Sequence, residues 1–414
     1  MKDRCGLILL PTAGHNARGL KIATSAAIVR LARRPIANHH ANWGCWRERK
    51  RSGVSPWAIA KLPHYAMPLT QRIAVMTSEA APRILISRMS AIGDAILTLP
   101  VACALREEFP RAFIGWVVER KAAPMVRGHQ ALDAVIELQR GWFTSPTGIR
   151  HARSVLRPHR FDISIDCQGN TKSSLAGWLS GAGKRIGYGG KHCGELSRMF
   201  NNVRIKPVFT HLTDRSLELL IPLGIHSPRV RWQLPLPESA RSWAARWRRT
   251  VPSPRLAVLN PGGTWASKLW ESDRFAATAR YLHRSYGYRS AVVWGAPEER
   301  AMAQKIVEQS DGVAVLAPDT DLHHLASLIE TADLFISGDT GPLHMAVAVG
   351  TATIGLYGAT RPGDSGPYGQ VAIQKSYEIG SRRHRRAADN RAMRAITAWH
   401  VCEAIDEIES KRRL

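Results

Sequence analysis

The segment Asp339-Thr340-Gly341-Pro342-Leu343-His344 carries the densest chemistry in the chain. Gly341 permits close backbone approach, and Pro342 suits the first turn of a helix. The open amides of such a turn, with the Thr340 hydroxyl, would bind an anion such as a diphosphate. An ordinary Asp or Thr N-cap explains the same residues equally well. Pro261-Gly262-Gly263-Thr264 is a glycine turn with a hydroxyl, followed by Lys268. A cation there would meet the charge that grows on a departing phosphate; a lone loop lysine is otherwise simply solvated. Glu298 and Glu299 open a helix after a strand, where a carboxylate either accepts from ribose hydroxyls or pairs with the helix dipole. Gly93-Asp94 ends the first apolar run, which makes Asp94 a general base or a helix cap.

Other patterns carry less. Asp319-Thr320-Asp321 has the spacing of a D-x-D metal motif. It precedes Leu322, Leu325, Leu328 and Ile329 at helical spacing, so a cap is the better reading. His323 and His324 are adjacent and cannot share one helix face as metal ligands do. The first strand lacks a G-x-G-x-x-G sequel, which counts against a nicotinamide dehydrogenase.

These loops sit between alternating strand and helix patterns. Ile84–Ser87, Phe113–Val118, Ala134–Leu138 and Phe161–Asp166 are short apolar runs separated by helical stretches. A second series follows with Leu256–Asn260, Ala291–Trp294, Leu334–Ser337 and Thr353–Tyr357, each running into a glycine-rich turn. Such runs argue parallel sheets covered on both faces, with ligands outside the carboxyl ends of the strands. Pro100 implies a kink or a restart in the first helix. The Pro/Trp/Arg-rich stretch 232–254 reads as a linker.

At 414 residues and 44% hydrophobic, the chain is long enough for two domains and is no wholly disordered polymer. No run approaches the ~18–20 apolar residues of a membrane helix. The formal net charge is +25, and residues 1–80 with 381–414 supply 14 of it. The remaining surplus suits an anionic substrate or a membrane surface, and no nucleic-acid motif accompanies it. The six cysteines are scattered, as in a reduced cytoplasmic protein without structural zinc. Residues 1–80 are proline-broken, Arg-rich and acid-poor. They read as a disordered extension, with Met67 or Met76 as alternative starts, rather than as a transit peptide or a membrane-surface helix over 20–34.

Together the motifs resemble the lipopolysaccharide heptosyltransferases of glycosyltransferase family 9. The resemblance rests on Arg83 to Asp94 with Leu97-Thr98-Leu99-Pro100, then Trp116–Glu119, Asp166–Asn170 and Lys172-Ser173. Asn260-Pro261-Gly262, Lys268-Leu269-Trp270, Trp294-Gly295 and Asp339–His344 follow in family order over roughly 83–370. It implies an α/β GT-B fold of two Rossmann-like parallel-sheet domains around a cleft. On that pattern 81–236 is the acceptor domain, 237–385 the nucleotide-sugar domain and 386–414 a C-terminal helix. It also implies inverting transfer of a heptose from an ADP-sugar donor to an anionic glycolipid acceptor, by a monomer in the cytoplasm at the inner face of the inner membrane, with no cofactor and no metal. Asp94 matches the proposed base and Lys268 the phosphate-contacting lysine. Gly93, Gly262, Thr264, Asp339, Thr340, Gly341 and His344 line the substrate loops, and Glu298 matches the ribose-binding acid with a register that Pro297 shifts by one. Cys167 and the basic run 382–386 depart from the family pattern. A transferase or epimerase using another nucleotide sugar, or a basic nucleic-acid-binding protein, are the competing readings.

Overall fold

The computed structural model describes residues 81–194 and 196–413. The extension read over 1–80, with its alternatives, lies outside them.

Strands β1 (Arg83–Ser87), β2 (Phe113–Glu119), β3 (Ala134–Leu138), β4 (Ile163–Asp166), β5 (Lys184–Tyr188) and β6 (Val203–Ile205) form one parallel sheet. Its order is β3-β2-β1-β4-β5-β6. A second parallel sheet joins β7 (Arg255–Asn260), β8 (Tyr288–Val292), β9 (Ala314–Leu316), β10 (Leu334–Gly338), β11 (Ala352–Tyr357) and β12 (Val371–Gln374). Its order, β12-β11-β10-β7-β8-β9, repeats the first when counted from β7. Both are the doubly wound Rossmann order, as expected. The central strands are buried on both faces because Ile, Leu and Val occupy consecutive positions, not alternate ones.

In this topology the strand order reverses between β1 and β4, and again between β7 and β10. Crevices open at those two points, outside the strand carboxyl ends. The Ser87–Asp94 and Asp166–Asn170 loops leave one crevice, and the Asn260–Lys268 and Gly338–Gly341 loops leave the other.

Two expectations are refined. The helix Ile92–Glu108 runs through Pro100 without restarting. Nearly every face is buried, against the first sheet and the helices Leu212–Glu218 and Gly341–Ala348, so packing outweighs one missing backbone bond. The stretch 232–254 is not a plain linker, since Glu238–Thr250 is helical. Ala240 and Ala244 bury one stripe against the helix Leu322–Glu330 while Trp243 and Trp247 pack on the core, so its composition is that of an amphipathic helix. The C-terminal helix Ala398–Arg412 is fastened to the second sheet by Val401 and Ile405 and by the Arg255–Glu409 ion pair.

Candidate active site

Asp94 occupies the third position of the helix Ile92–Glu108. The N-cap is Ala91, whose N–H donates to Asp94 Oδ2 at 3.4 Å, so Asp94 supports the helix start without being its cap. The carboxylate is 39% exposed and is gripped from beneath by Arg88, with Nη2 2.6 Å from Oδ2. Arg88 itself is buried. Its Nη1 donates to the Cys167 carbonyl, and its own carbonyl accepts from Trp116 Nε1 at 3.0 Å. A rigid guanidinium fork thus ties the end of β1 to the loop after β4 and aims Asp94 outward.

Beside it opens a cleft of about 620 Å³ whose polar lining includes Ser90, Glu119, Lys121, Arg140, Asn170 and Lys172. Lys172 is ion-paired with Glu119 and donates to Ser90 Oγ at 3.0 Å. Gln168 holds the Met89 N–H at 2.9 Å, which fixes the approach to Asp94. Lys172 and Glu119 lie in the Lys172-Ser173 and Trp116–Glu119 segments, which carry no signal of a site role on their own. Lys121 and Arg140 lack any local signal.

Across the interface, the helix Gly341–Ala348 points its N-terminus at the same region. Thr340 is its N-cap residue but makes no capping bond. The Thr340 hydroxyl is engaged by Asn260 Nδ2 at 3.2 Å and Ser337 Oγ at 3.0 Å. Of the two readings of this turn, side-chain capping is therefore absent, and the first-turn amides and the dipole remain for an anion.

Lys268 is not solvated. Its Nζ lies 2.7 Å from Asp339 Oδ2, donates to the Asp339 carbonyl at 3.0 Å and stands 4.5 Å from the Trp265 ring centroid. His344 Nε2 approaches the other Asp339 oxygen at 3.8 Å, and its buried Nδ1 has no hydrogen-bond partner. Burial opposes the charge on Asp339, but the His344 ring and the Lys268 cation outweigh it and hold the carboxyl well below the usual carboxylate range. Asp339 thus fastens Lys268 and His344 to the turn before the Gly341–Ala348 helix.

Glycines set the approach distances. A Cβ on Gly93 would lie 2.5 Å from His344 Cδ2, so the absence of a side chain at Gly93 is what lets the His344 ring of the Gly341–Ala348 helix pack against the Asp94 helix. A Cβ on Gly262 would fall 2.5 Å from the Glu299 carboxylate, which also accepts from the Gly295 N–H at 2.9 Å. Glu299 is the acid brought to the glycine turn, whereas Glu298 and Thr264 are exposed. Next to Glu299, a cleft of about 650 Å³ is walled by Trp294, Arg300, Leu316, Ala317, Pro318 and Asp319. Asp321 is an N-cap, accepting from the His324 N–H at 2.8 Å, as its spacing predicts. His323 and His324 diverge, one to the Pro124 carbonyl and the other to Asp321.

The profile of glycosyltransferase family 9 (heptosyltransferase) matches residues 149–392. This chain belongs to that family. It is accordingly a glycosyltransferase, which favours the transferase reading over the epimerase and nucleic-acid alternatives. Family 9 relatives include the lipopolysaccharide core heptosyltransferase OpsX of Haemophilus influenzae, 25% identical over 71% of this chain and 84% of its own length. Lipopolysaccharide heptosyltransferase 1 of Escherichia coli K12 is 28% identical over 70% of this chain and 91% of its own. The crystal structure of a family 9 glycosyltransferase from Veillonella parvula aligns with a TM-score of 0.66 at 25% identity, covering 79% of this chain and 96% of that one. E. coli heptosyltransferase WaaC with ADP-2-deoxy-2-fluoro heptose aligns at 0.62 and 25%, covering 78% and 99%. The GT-B fold expected of family 9 is therefore the fold found.

Proposed function

We propose that this family 9 enzyme moves a heptose from ADP-heptose to an inner-core sugar of lipopolysaccharide, with inversion at the anomeric carbon. The observation that carries this reading is the contact of the Asp94 helix with the anion helix at Gly93 and His344. It sets a carboxylate facing one crevice against a cation and open amides facing the other. Names of relatives supply the sugar, since OpsX and heptosyltransferase 1 are lipopolysaccharide heptosyltransferases.

In the proposed reaction an acceptor hydroxyl attacks the anomeric carbon from the face opposite the diphosphate. The bond from that carbon to the β-phosphate oxygen breaks, and the hydroxyl proton passes to Asp94. ADP leaves with the electron pair, its growing charge met by Lys268 and the amides after Thr340. Gly262 lets the nucleotide approach the backbone, and Glu299 faces the ribose while the base enters the Trp294–Pro318 cleft. The acceptor sugar occupies the cleft beside Ser90 and Lys172. We further propose that the enzyme is a cytoplasmic monomer working against the inner face of the inner membrane. No described helix is long and apolar enough to cross a membrane. Basic surface would draw in an anionic glycolipid, by about 1 kcal/mol per Lys or Arg near the bilayer.

Asp94→Asn tests the assignment, because it keeps the shape of the side chain and removes the proton acceptor. With ADP-heptose and core-truncated lipopolysaccharide, kcat should fall by roughly 10²–10⁴ while donor affinity holds. Normal turnover by the variant would sink the base assignment, and no transfer by the parent enzyme would sink the reaction.

A further inference from the structure

The basic run at 382–386 stands outside the family pattern and has no role in the reaction above. It forms a short helix, Arg382–Ala387, whose first turn is capped by Ser381 accepting from the His384 N–H at 3.2 Å. That helix is seated on the loop that carries Lys268. Ser267 Oγ donates to the Arg385 carbonyl at 2.6 Å, and Arg385 Nη1 donates to the Ala359 carbonyl at 2.9 Å and to Tyr377 Oη at 2.7 Å. The Arg382 guanidinium stands 5.9 Å from the centroid of the Trp265 ring that also receives Lys268. Arg361 stands 4.8 Å from the centroid of the Tyr377 ring that Arg385 also approaches.

Five arginines are thus gathered at one place without neutralisation. Among the described residues, no carboxylate forms an ion pair with Arg361, Arg382, Arg383, Arg385 or Arg386. Glu378, the nearby acid, pairs with His384 instead. The helix is held by neutral contacts to carbonyls, a phenol and two aromatic rings, while its cations repel one another. Arg382, Arg383 and Arg386 are exposed, whereas Lys268 turns inward to Asp339. Guanidinium groups are the fork-shaped donors that take phosphate or carboxylate two bonds at a time.

We infer that Arg382, Arg383 and Arg386 form an anion subsite on the nucleotide half, outside the diphosphate loop, that holds a phosphate or carboxylate group of the acceptor glycolipid. This rests on the reaction proposed above. The donor diphosphate is provided for by Lys268 and the amides after Thr340, so a solvent-facing cluster next to them meets the ligand that reaches the site from outside.

The test is the full chain with Arg382→Gln, Arg383→Gln and Arg386→Gln together, leaving Arg385 and its packing intact. The acceptor KM should rise roughly tenfold, as for a few exposed charge-assisted contacts, with ADP affinity within about twofold and kcat at saturating acceptor retained. Phosphatase treatment of the acceptor, or its carboxyl methylation, should close the gap between parent and variant. A loss of ADP affinity with unchanged acceptor KM would overturn the inference in favour of a donor role, and no change in either constant would overturn it outright. Sedimentation with phosphatidylcholine vesicles, with and without acceptor, or with added phosphatidylglycerol, reads binding without turnover. Variant binding lost on phosphatidylglycerol alone, as strongly as on acceptor, would assign the cluster to lipid headgroups and overturn the acceptor subsite. If the parent enzyme binds acceptor vesicles but transfers no heptose, the reaction proposal fails while the subsite stands.

Discussion

Lys268 Nζ lies 2.7 Å from Asp339 Oδ2, with the two side chains only 13% and 10% exposed. A cation suited to a departing diphosphate is thus stored against an anion at the mouth of the same helix. The arrangement keeps the lysine fixed and aimed, and a phosphate can share it without moving it far. Lys268→Ala should weaken ADP by ten- to a hundredfold, about 1.5–3 kcal/mol for a charged hydrogen bond, and leave adenosine nearly untouched. Titration calorimetry with both ligands checks this; equal losses would remove Lys268 from the phosphate.

Asp339→Asn should cost stability on the order of 3 kcal/mol, because it strands the buried cation. Lys268→Met together with Asp339→Asn should cost less than the two single changes added, as expected of residues in direct contact. Urea unfolding of the four proteins measures the coupling. Additive losses would mean that the pair stores nothing.

Arg88 acts on Asp94 without touching substrate in the proposed mechanism, so it is a positioning residue. Arg88→Met should lower kcat by roughly 10–10², the scale of a misplaced catalytic group, with donor KM little changed. Arg88→Lys should recover only part of it, since a lysine cannot span both Asp94 and the Cys167 carbonyl. A loss of folding without this kcat split, seen by comparing thermal melts with kinetics, would make Arg88 purely structural.

Glu299 and Glu298 separate cleanly by geometry. Glu299→Gln should raise the Kd for ADP and adenosine alike, by about tenfold, because the proposed nucleotide pose puts it on the ribose, which both ligands share. Glu298→Gln, on an exposed side chain, should leave both within about twofold. The reverse result would return the ribose role to Glu298.

His211 supplies a pH signature. Its Nδ1 accepts the Thr213 N–H at 3.2 Å and its Nε2 donates to the Gly366 carbonyl at 3.1 Å, so the neutral ring is fully used. Burial pushes its pKa down to about 4; the Gly366 bond works against this shift, and His344 and Arg215 add to it. The unfolded ring takes its proton near ~6.5. Stability contributed by His211 is therefore complete above pH ~6.5 and falls as pH drops from ~6.5 towards 4. His211→Asn keeps a cap and removes the titration, so its unfolding free energy should fall less steeply over that window. Parallel curves from urea titrations would refute the assignment.

Consecutive apolar residues ending in glycine-rich loops determine strands buried on both faces, and such strands are satisfied only in a parallel, doubly wound sheet. From that, the sequence by itself places Asp94, Lys268 and the Asp339–His344 turn at the carboxyl ends of strands. Strands β5, β6, β9 and β12 escape the pattern because they are short or, like Lys184–Tyr188, open on two charged residues and carry a glycine within the apolar run. Only the tertiary structure decides which partner each reactive side chain meets. Lys268 finds Asp339 across 71 positions and Arg88 finds Cys167 across 79, while Glu299 rather than the adjacent Glu298 turns to Gly262. Periodicity acts along one element and sets which way that element faces. The distance between charges on different loops follows from how two sheets and their helices pack, and no local pattern encodes it.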